Sequence, residues 1–475
     1  MIDRITVHSG RYHDSVRLMQ ASQVLRTAAG VEEALVAMGT ELNLTLLEDL
    51  HFDPEQLVGV GPNDLIVAVR AVDEAALATT DQVLEEALAA KRGSSEPTDS
   101  PPAHLVETAA ATIGANLALI SIPGRYAFVE AMGALRAGLH VMVFSDNVSI
   151  EHEILLKEEA AKRDLLVMGP DCGTSIVGGI GLGFANAVRP GSVSLVGASG
   201  TGIQQLTCLL DDAGVGIRHA WGTGSRDLSE AVGGSSTLRG LTALDADPGT
   251  DVIVVVSKPP ATEVATAVRA AAAHCSTPVV VAFMEPGSTL EGAANAVLSL
   301  LGREPATFTI WPAASGDHRS GGLRGLFSGG TLRDEARFIV EPVIGPLFLT
   351  ETTEGSSLVD YGDDLYTEGR AHPMIDQTVR LERLESTVTN TSIGVVLLDV
   401  VLGYGANPDP AVELAPVIRE LSGAGIAVVA TLCGSKGDPQ GLDYQAGLLQ
   451  KAGAAVFLSN AAAATRAAEL VGGEA

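Results

Sequence analysis

Val193-Ser-Leu-Val-Gly-Ala-Ser199-Gly200-Thr201-Gly202 reads as an apolar strand, a turn of small and hydroxyl residues, and the start of a helix continuing through Ile203-Gln-Gln-Leu-Thr207. Strand followed at once by helix is the unit of parallel α/β sheets. About a hundred and thirty residues later the same grammar returns. There Gly322-Leu-Arg-Gly-Leu-Phe-Ser328-Gly329-Gly330-Thr331 runs into Leu332-Arg-Asp-Glu335. Each turn aims backbone N–H groups, hydroxyls and the positive end of a helix dipole at one spot. A phosphate or carboxylate suits such a spot, and two of them predict an anion gripped from two sides. The plainer alternative for Ser199, Thr201, Ser328 and Thr331 is ordinary N-capping.

Outward from these motifs the strand and helix signals alternate. Leu117–Ile122, Val141–Phe144 and Leu165–Met168 are apolar strands, with helices at 126–137 and 150–163. A second run holds 192–196, 252–256 and 278–284, and ends near Leu301. A third opens at Leu323 and holds 392–400, 426–432 and 454–458. Short apolar strands between helices predict sheets covered on both faces. Residues 1–90 differ: strands at 5–7 and 31–38, a helix at 15–28, a segment at 43–46, then a strand at 65–72 and a helix at 75–90. The order hints at a ferredoxin-like α+β unit. Residues 91–102, Lys-Arg-Gly-Ser-Ser-Glu-Pro-Thr-Asp-Ser-Pro-Pro, read as a linker.

Composition sets the bounds. A chain of 475 residues is too long for one core, so two to four domains are expected. Lys and Arg number 30 against 58 Asp and Glu, a net charge of -28, which argues against broad contact with nucleic acid or anionic membrane. Any bound anion must then be held by backbone dipoles and a few cations. Cys172, Cys208, Cys275 and Cys433 form no CxxC pair, so neither a disulfide framework nor a metal site is expected. The opening Met1-Ile-Asp-Arg-Ile-Thr-Val-His lacks the apolar stretch of a signal peptide, and no run is long enough to span a bilayer. A cytoplasmic protein is the expectation.

With these pieces in order, the chain resembles the succinyl-CoA synthetase superfamily, and within it the FdrA branch. Met168-Gly-Pro-Asp-Cys-Gly-Thr174, 189–201 and Asp251-Val-Ile-Val-Val-Val are similar to the alpha subunit. Gly325-Leu-Phe-Ser-Gly-Gly-Thr331, Leu398-Asp-Val-Val-Leu-Gly-Tyr-Gly405 and 427–434 are similar to the carboxyl domain of the beta subunit. Gly10-Arg-Tyr-His-Asp-Ser15, Arg370-Ala-His-Pro-Met-Ile-Asp376 and 403–410 fit the FdrA branch. The resemblance implies a fusion of Rossmann-like and flavodoxin-like parallel-sheet domains behind a small amino-terminal α+β domain. The expected boundaries are 1–90 for the small domain, 91–102 for the linker, 103–190 for a partial CoA-binding layer, 191–305 for the alpha-like domain and 318–475 for the beta-like domain.

One departure weighs heavily. The ligases pass phosphate through a histidine on a loop placed here near Ala282-Phe-Met-Glu-Pro-Gly-Ser-Thr-Leu-Glu-Gly292, and that stretch has none. No ATP-grasp segment is evident. A chain that keeps the two helix ends without the histidine could hold a free carbamoyl or acyl phosphate instead. The resemblance implies a subunit of oxamate carbamoyltransferase in allantoin and purine-nitrogen breakdown. Phosphate and carbamoyl phosphate would be substrates, and no cofactor would be required. Acyl-CoA formation and a non-catalytic scaffold are the alternatives. The Gly-rich turn usual after the first nucleotide-binding strand is missing, which leaves CoA binding open. Homo-oligomers and complexes with neighbouring-gene subunits are the implied partners.

Outside the two glycine turns, Asp171, Cys172 and Thr174 follow a strand, where ligand pockets open in α/β sheets. A turn needing Asp and Gly for backbone reasons is the alternative. Cys172 has no neighbour in sequence that would activate it as a nucleophile. His372 could act as a general acid or a substrate contact and Arg370 could bind a carboxylate, against a loop histidine capping a helix that begins near Pro373. Lys436 after a strand could offset substrate charge, and Lys258 invites the same comment; a surface lysine is the alternative for both. Asp363 and Asp364 could hold a metal, although acidic loops in an acidic chain are usually just solvated.

Overall fold

A computed structural model of the chain describes residues 1–11, 13, 15–89, 105–313, 319–352, 355–367 and 370–472. The expected linker at 91–102 lies outside the described residues. The chain divides into two compact units. One comprises Met1–His104 and Thr367–Asp376; the other comprises Leu105–Tyr366 and Gln377–Ala475.

In the first unit Leu65–Ala71 lies between Ile2–His8 and Val31–Met38, antiparallel to both. Inserting the third strand between two parallel ones is the split β-α-β arrangement, here with three strands among the described residues. The middle strand is almost wholly buried because helices cover both its faces. Leu18, Leu25, Leu77 and Leu84 cover one face; Leu47, Phe52 and Leu57 cover the other. The segment at 43–46 is helical, part of Glu41–Asp49, whose start is capped by Thr40 accepting from the Asn43 N–H. The returning segment is tied by an Arg26–Asp376 ion pair at 2.7 Å.

The second unit has three sheets. Leu117–Ile120, His140–Val143 and Val167–Met168 form a small parallel sheet. Four parallel strands, Val279–Phe283, Val252–Ser257, Pro190–Ala198 and Ile217–Gly222, begin a six-stranded sheet. The hairpin Thr174–Val177 and Ile180–Gly183 completes it antiparallel. That hairpin lies inside the expected 103–190 layer yet pairs into the next sheet. It turns on Gly178 and Gly179, at φ 57° and 80°, a geometry that two consecutive glycines adopt without strain. The third sheet runs Ile310–Trp311, Ala455–Phe457, Ala427–Cys433, Ile393–Val401, Gly322–Phe327 and Ser357–Asp360; all but the first strand are parallel.

All nine residues of Ile393–Val401 are buried, as a central parallel strand covered on both faces requires. One apolar core takes side chains from both six-stranded sheets. In it Ile203, Leu206 and Leu210 of helix Gly200–Asp212 join Leu332, Ala336 and Val340 of helix Gly330–Ile344. Among the described residues no helix is long and apolar enough to cross a membrane.

Candidate functional site

Both helices start at the carboxyl ends of their strands, where α/β sheets place ligands. Pro190–Ala198 delivers Ser199, whose extended backbone and Oγ, accepting from the Gly202 N–H at 2.9 Å, cap helix Gly200–Asp212. Gly322–Phe327 delivers Ser328 and Gly329, and Gly329 starts its helix with no side-chain cap. The orphan N–H groups of that first turn are therefore left for another partner.

The two starts meet. Ser199 Oγ lies 2.5 Å from Thr331 Oγ1. A Cβ on Gly329 would fall 2.3–2.6 Å from Thr201 atoms, so Thr201 occupies the space that glycine leaves. A Cβ on Gly202 would lie 3.1 Å from Thr331 Cγ2. Ser199, Thr201, Ser328 and Thr331 are all buried. Thr174 joins them: its Oγ1 is 3.7 Å from the place a Gly200 Cβ would take.

Lys258 follows strand Val252–Ser257, and its ammonium reaches Gly330, where a Cβ would stand 2.6 Å from Nζ and 2.5 Å from Asp360 Oδ2. No carboxylate stands within ion-pair range of that ammonium among the described residues. A cation at two positive helix ends is repelled by both dipoles, so the spot favours an anion. Burial pushes the Asp360 carboxyl up to about 6, against the pull of Lys258 and Arg333.

Ser328 faces inward. Its N–H donates to Asp399 at 2.8 and 3.0 Å, and its hydroxyl donates to the same carboxylate at 2.8 Å. Arg380 Nη1 stands 3.2 Å from Asp399 Oδ1, with both side chains buried. Burial raises the Asp399 carboxyl and Arg380 opposes the rise. This chain of contacts fixes the loop ahead of Gly330 from behind.

Of the remaining sequence candidates, Asp171 stays within electrostatic reach of Lys258, and the others do not join the helix starts. Asp171 is exposed at φ 58°, with Ser225 as hydrogen-bond partner and Lys258 as the cation acting on it. Cys172 is buried 3.3 Å from Ser175 Oγ, and burial pushes its thiol up to about 12, so it carries no thiolate. Lys436 does not reach the helix starts. It acts on Asp212, at the last residue of helix Gly200–Asp212, roughly 18 Å along the axis from its first turn. Arg370 and His372 belong to the segment that groups with the first unit. There His372 Nδ1 accepts from the Met374 N–H at 3.2 Å and caps a turn; no helix begins at Pro373, and the next one, Thr378–Val388, starts five residues later.

The stretch 282–292 is a tight connection. Thr289 caps helix Leu290–Leu300, and the Leu290 N–H donates to Glu335 at 2.6 Å. Sequence reading gave Asp360, Asp399 and Arg380 no role. The available signal was Asp399 itself, one acid in an otherwise apolar nine-residue strand.

Three family descriptions match the chain: "AllF, heavy metal-associated domain" at residues 1–102, "CoA binding domain" at 188–285 and "CoA-ligase" at 326–471. Escherichia coli K12 YahF, described as an uncharacterized protein, is 36% identical over 95% of this chain and 95% of its own length. The alpha subunit of the ADP-forming succinate–CoA ligase of Methanothermobacter thermautotrophicus is 25% identical over 32% of this chain and 52% of that subunit. This chain thus spans about half of that relative. Among solved structures, a dinucleotide-forming acetyl-coenzyme A synthetase from Ca. Korarchaeum cryptofilum covers 80% of this chain and 87% of its own at 14% identity and a TM-score of 0.33.

The described residues suit one implied ligand class and not another. Helix N–H groups, hydroxyls and Lys258 are donors for a phosphate, including one borne by CoA. Residues 1–102 contain no cysteine, so they offer a soft heavy metal no thiolate. Nor do the described residues group three His, Cys, Asp or Glu for a metal ion.

Proposed function

This chain belongs to the succinyl-CoA synthetase-like family that includes YahF, and from that premise we propose that its paired helix starts hold the phosphate of a free carbamoyl phosphate. The chain would then be an FdrA-like subunit of oxamate carbamoyltransferase, working in allantoin and purine-nitrogen breakdown. The observation that carries this reading is the Lys258 ammonium at Gly330, beside two helix starts whose hydroxyls touch. The missing histidine at 282–292 supports a free rather than a protein-bound phosphate.

The reaction asks for little covalent help. A phosphate oxygen attacks the ureido carbonyl carbon of oxalurate, forming a C–O bond. The C–N bond to the oxamyl nitrogen breaks, and that nitrogen takes a proton to leave as oxamate. Ser199, Thr201, Thr331 and the first-turn N–H groups orient the phosphate. Lys258 offsets charge at the phosphate, where it is needed in both directions. Asp360, whose carboxyl lies near 6, stands beside Gly330 to exchange a proton.

A second reading, acyl transfer to CoA through an acyl phosphate, draws on the CoA-binding and CoA-ligase matches. The same phosphate-holding residues would serve it. Neighbouring-gene subunits and further copies of the chain are the proposed partners in either case.

The deciding experiment supplies oxalurate and inorganic phosphate to the chain with its neighbouring-gene subunits, and succinate, ATP and CoA in a parallel reaction. Carbamoyl phosphate formed without nucleotide, and lost with Thr331→Ala or Lys258→Gln, is the expected result. Thioester formed only with ATP and CoA would replace it with the second reading.

A further inference from the structure

A cavity of about 550 Å³ lies away from the helix starts, lined by Arg324, Glu351, Thr352, Tyr361 and Arg383 with Ser357 and Val359. Ser357–Asp360 is the edge strand of its sheet, and side chains alternate along a strand. Ser357, Val359 and Tyr361 therefore serve this cavity, while Asp360 between them serves Lys258 on the opposite face.

The cavity already displays its chemistry. The Glu351 carboxylate accepts from Arg383 Nε at 2.6 Å and is the hydrogen-bond partner of the buried Tyr361 hydroxyl. Arg383 also stands 3.7 Å from Glu382, which does not line the cavity. The second guanidinium, Arg324, has no acidic partner among the described residues. Its Nη2 donates to the Thr352 carbonyl at 2.8 Å, and its Nε is buried without a partner. Two guanidinium groups and one carboxylate line the wall, an excess of one positive charge inside a chain of net charge -28. Arginine's fixed fork of donors matches a carboxylate better than any other common anion of this size except phosphate.

We infer that this cavity is a binding site for a small organic carboxylate, held by Arg324 and Arg383 and competing with Glu351 for the Arg383 and Tyr361 donors. The ligand is a mono- or dicarboxylate of a few carbons, and the site is separate from the phosphate-holding helix starts. Glu351 is the internal stand-in that the ligand displaces.

Isothermal titration of the full chain with oxalate and with succinate tests this. One saturable site per chain is expected for at least one of them, with a Kd below about 1 mM. Arg324→Gln should weaken it at least about tenfold. Glu351→Gln should tighten it severalfold by freeing Arg383 and Tyr361, a gain that a misfolded protein cannot produce. Lys258→Gln should leave it unchanged. Absence of saturable binding overturns the proposal. Binding that is indifferent to Arg324→Gln and Glu351→Gln, or that disappears with Lys258→Gln, overturns it too and returns the ligand to the helix starts.

Discussion

The side-chain oxygens of Ser199 and Thr331 lie 2.5 Å apart, joining helix starts from two different sheets. Ser199 is at once an N-cap and a bridge, because its Oγ also accepts from the Gly202 N–H. Thr331→Ala removes the bridge and leaves the cap. It should cost about 0.5–1.5 kcal/mol of stability, the usual worth of one buried hydrogen bond. If carbamoyl phosphate binds as proposed, it should raise the melting temperature of the wild-type chain and leave that of Thr331→Ala unchanged. A variant still stabilised to the same degree by carbamoyl phosphate would remove Thr331 from the anion site.

Two adjacent glycines should separate binding from folding. In Gly329→Ala the new methyl meets buried Thr201 at 2.3–2.6 Å, and overpacking should cost about 1–3 kcal/mol. In Gly330→Ala it meets only the far ends of Lys258 and Asp360, at 2.6 and 2.5 Å. Those ends can swing aside, so stability should change by less than about 1 kcal/mol while phosphate affinity falls. Urea unfolding and phosphate titration of both variants are the check. Equal effects of the two on stability would contradict this packing.

Lys258→Gln should weaken carbamoyl-phosphate binding by roughly 10–100-fold, because it removes a charge-assisted contact where two helix dipoles already favour an anion. The salt dependence of binding should flatten as well. Affinity measured at two ionic strengths gives both readouts. An unchanged salt slope would mean that the ammonium does not face the ligand.

Stability should depend on pH through Glu335. Burial pushes its carboxyl up to about 7, against donors from Leu290 and Asn460, while the unfolded chain titrates near 4.5. The folded state therefore binds the extra proton between those values. The stabilisation is fully present below 4.5 and is lost as pH rises through about 7. From about pH 5 to about pH 8 the wild type should lose on the order of 2–3 kcal/mol more than Glu335→Gln. Parallel pH profiles of the two proteins would show that Glu335 titrates normally.

The strand-turn-helix pairs around Ser199 and Ser328 were readable in the sequence because apolar runs, hydroxyls and glycines sit side by side there. The alternation of strands and helices was readable for the same reason, with most boundaries off by a residue or two. Partners distant in sequence were not readable. For Lys258 the sequence left two readings open, a charge offset for substrate or a surface lysine, and the fold carries it to Gly330. Lys436 looked equivalent, yet the length of helix Gly200–Asp212 puts it at the wrong end. The segment at 43–46 turned out helical because Thr40 caps it, a local signal that its short apolar run obscured. Nothing local in Arg370-Ala-His-Pro-Met-Ile-Asp376 reveals that its neighbours are residues of the amino-terminal unit.

Thr201 fills the hollow that Gly329 leaves, and both belong to one polypeptide. Covalent continuity sets the effective concentration of one helix start around the other, independently of how much protein is present. Dilution, which pulls apart a site shared between separate subunits, leaves this one assembled. Any loss of activity on dilution would therefore report on partners beyond this chain.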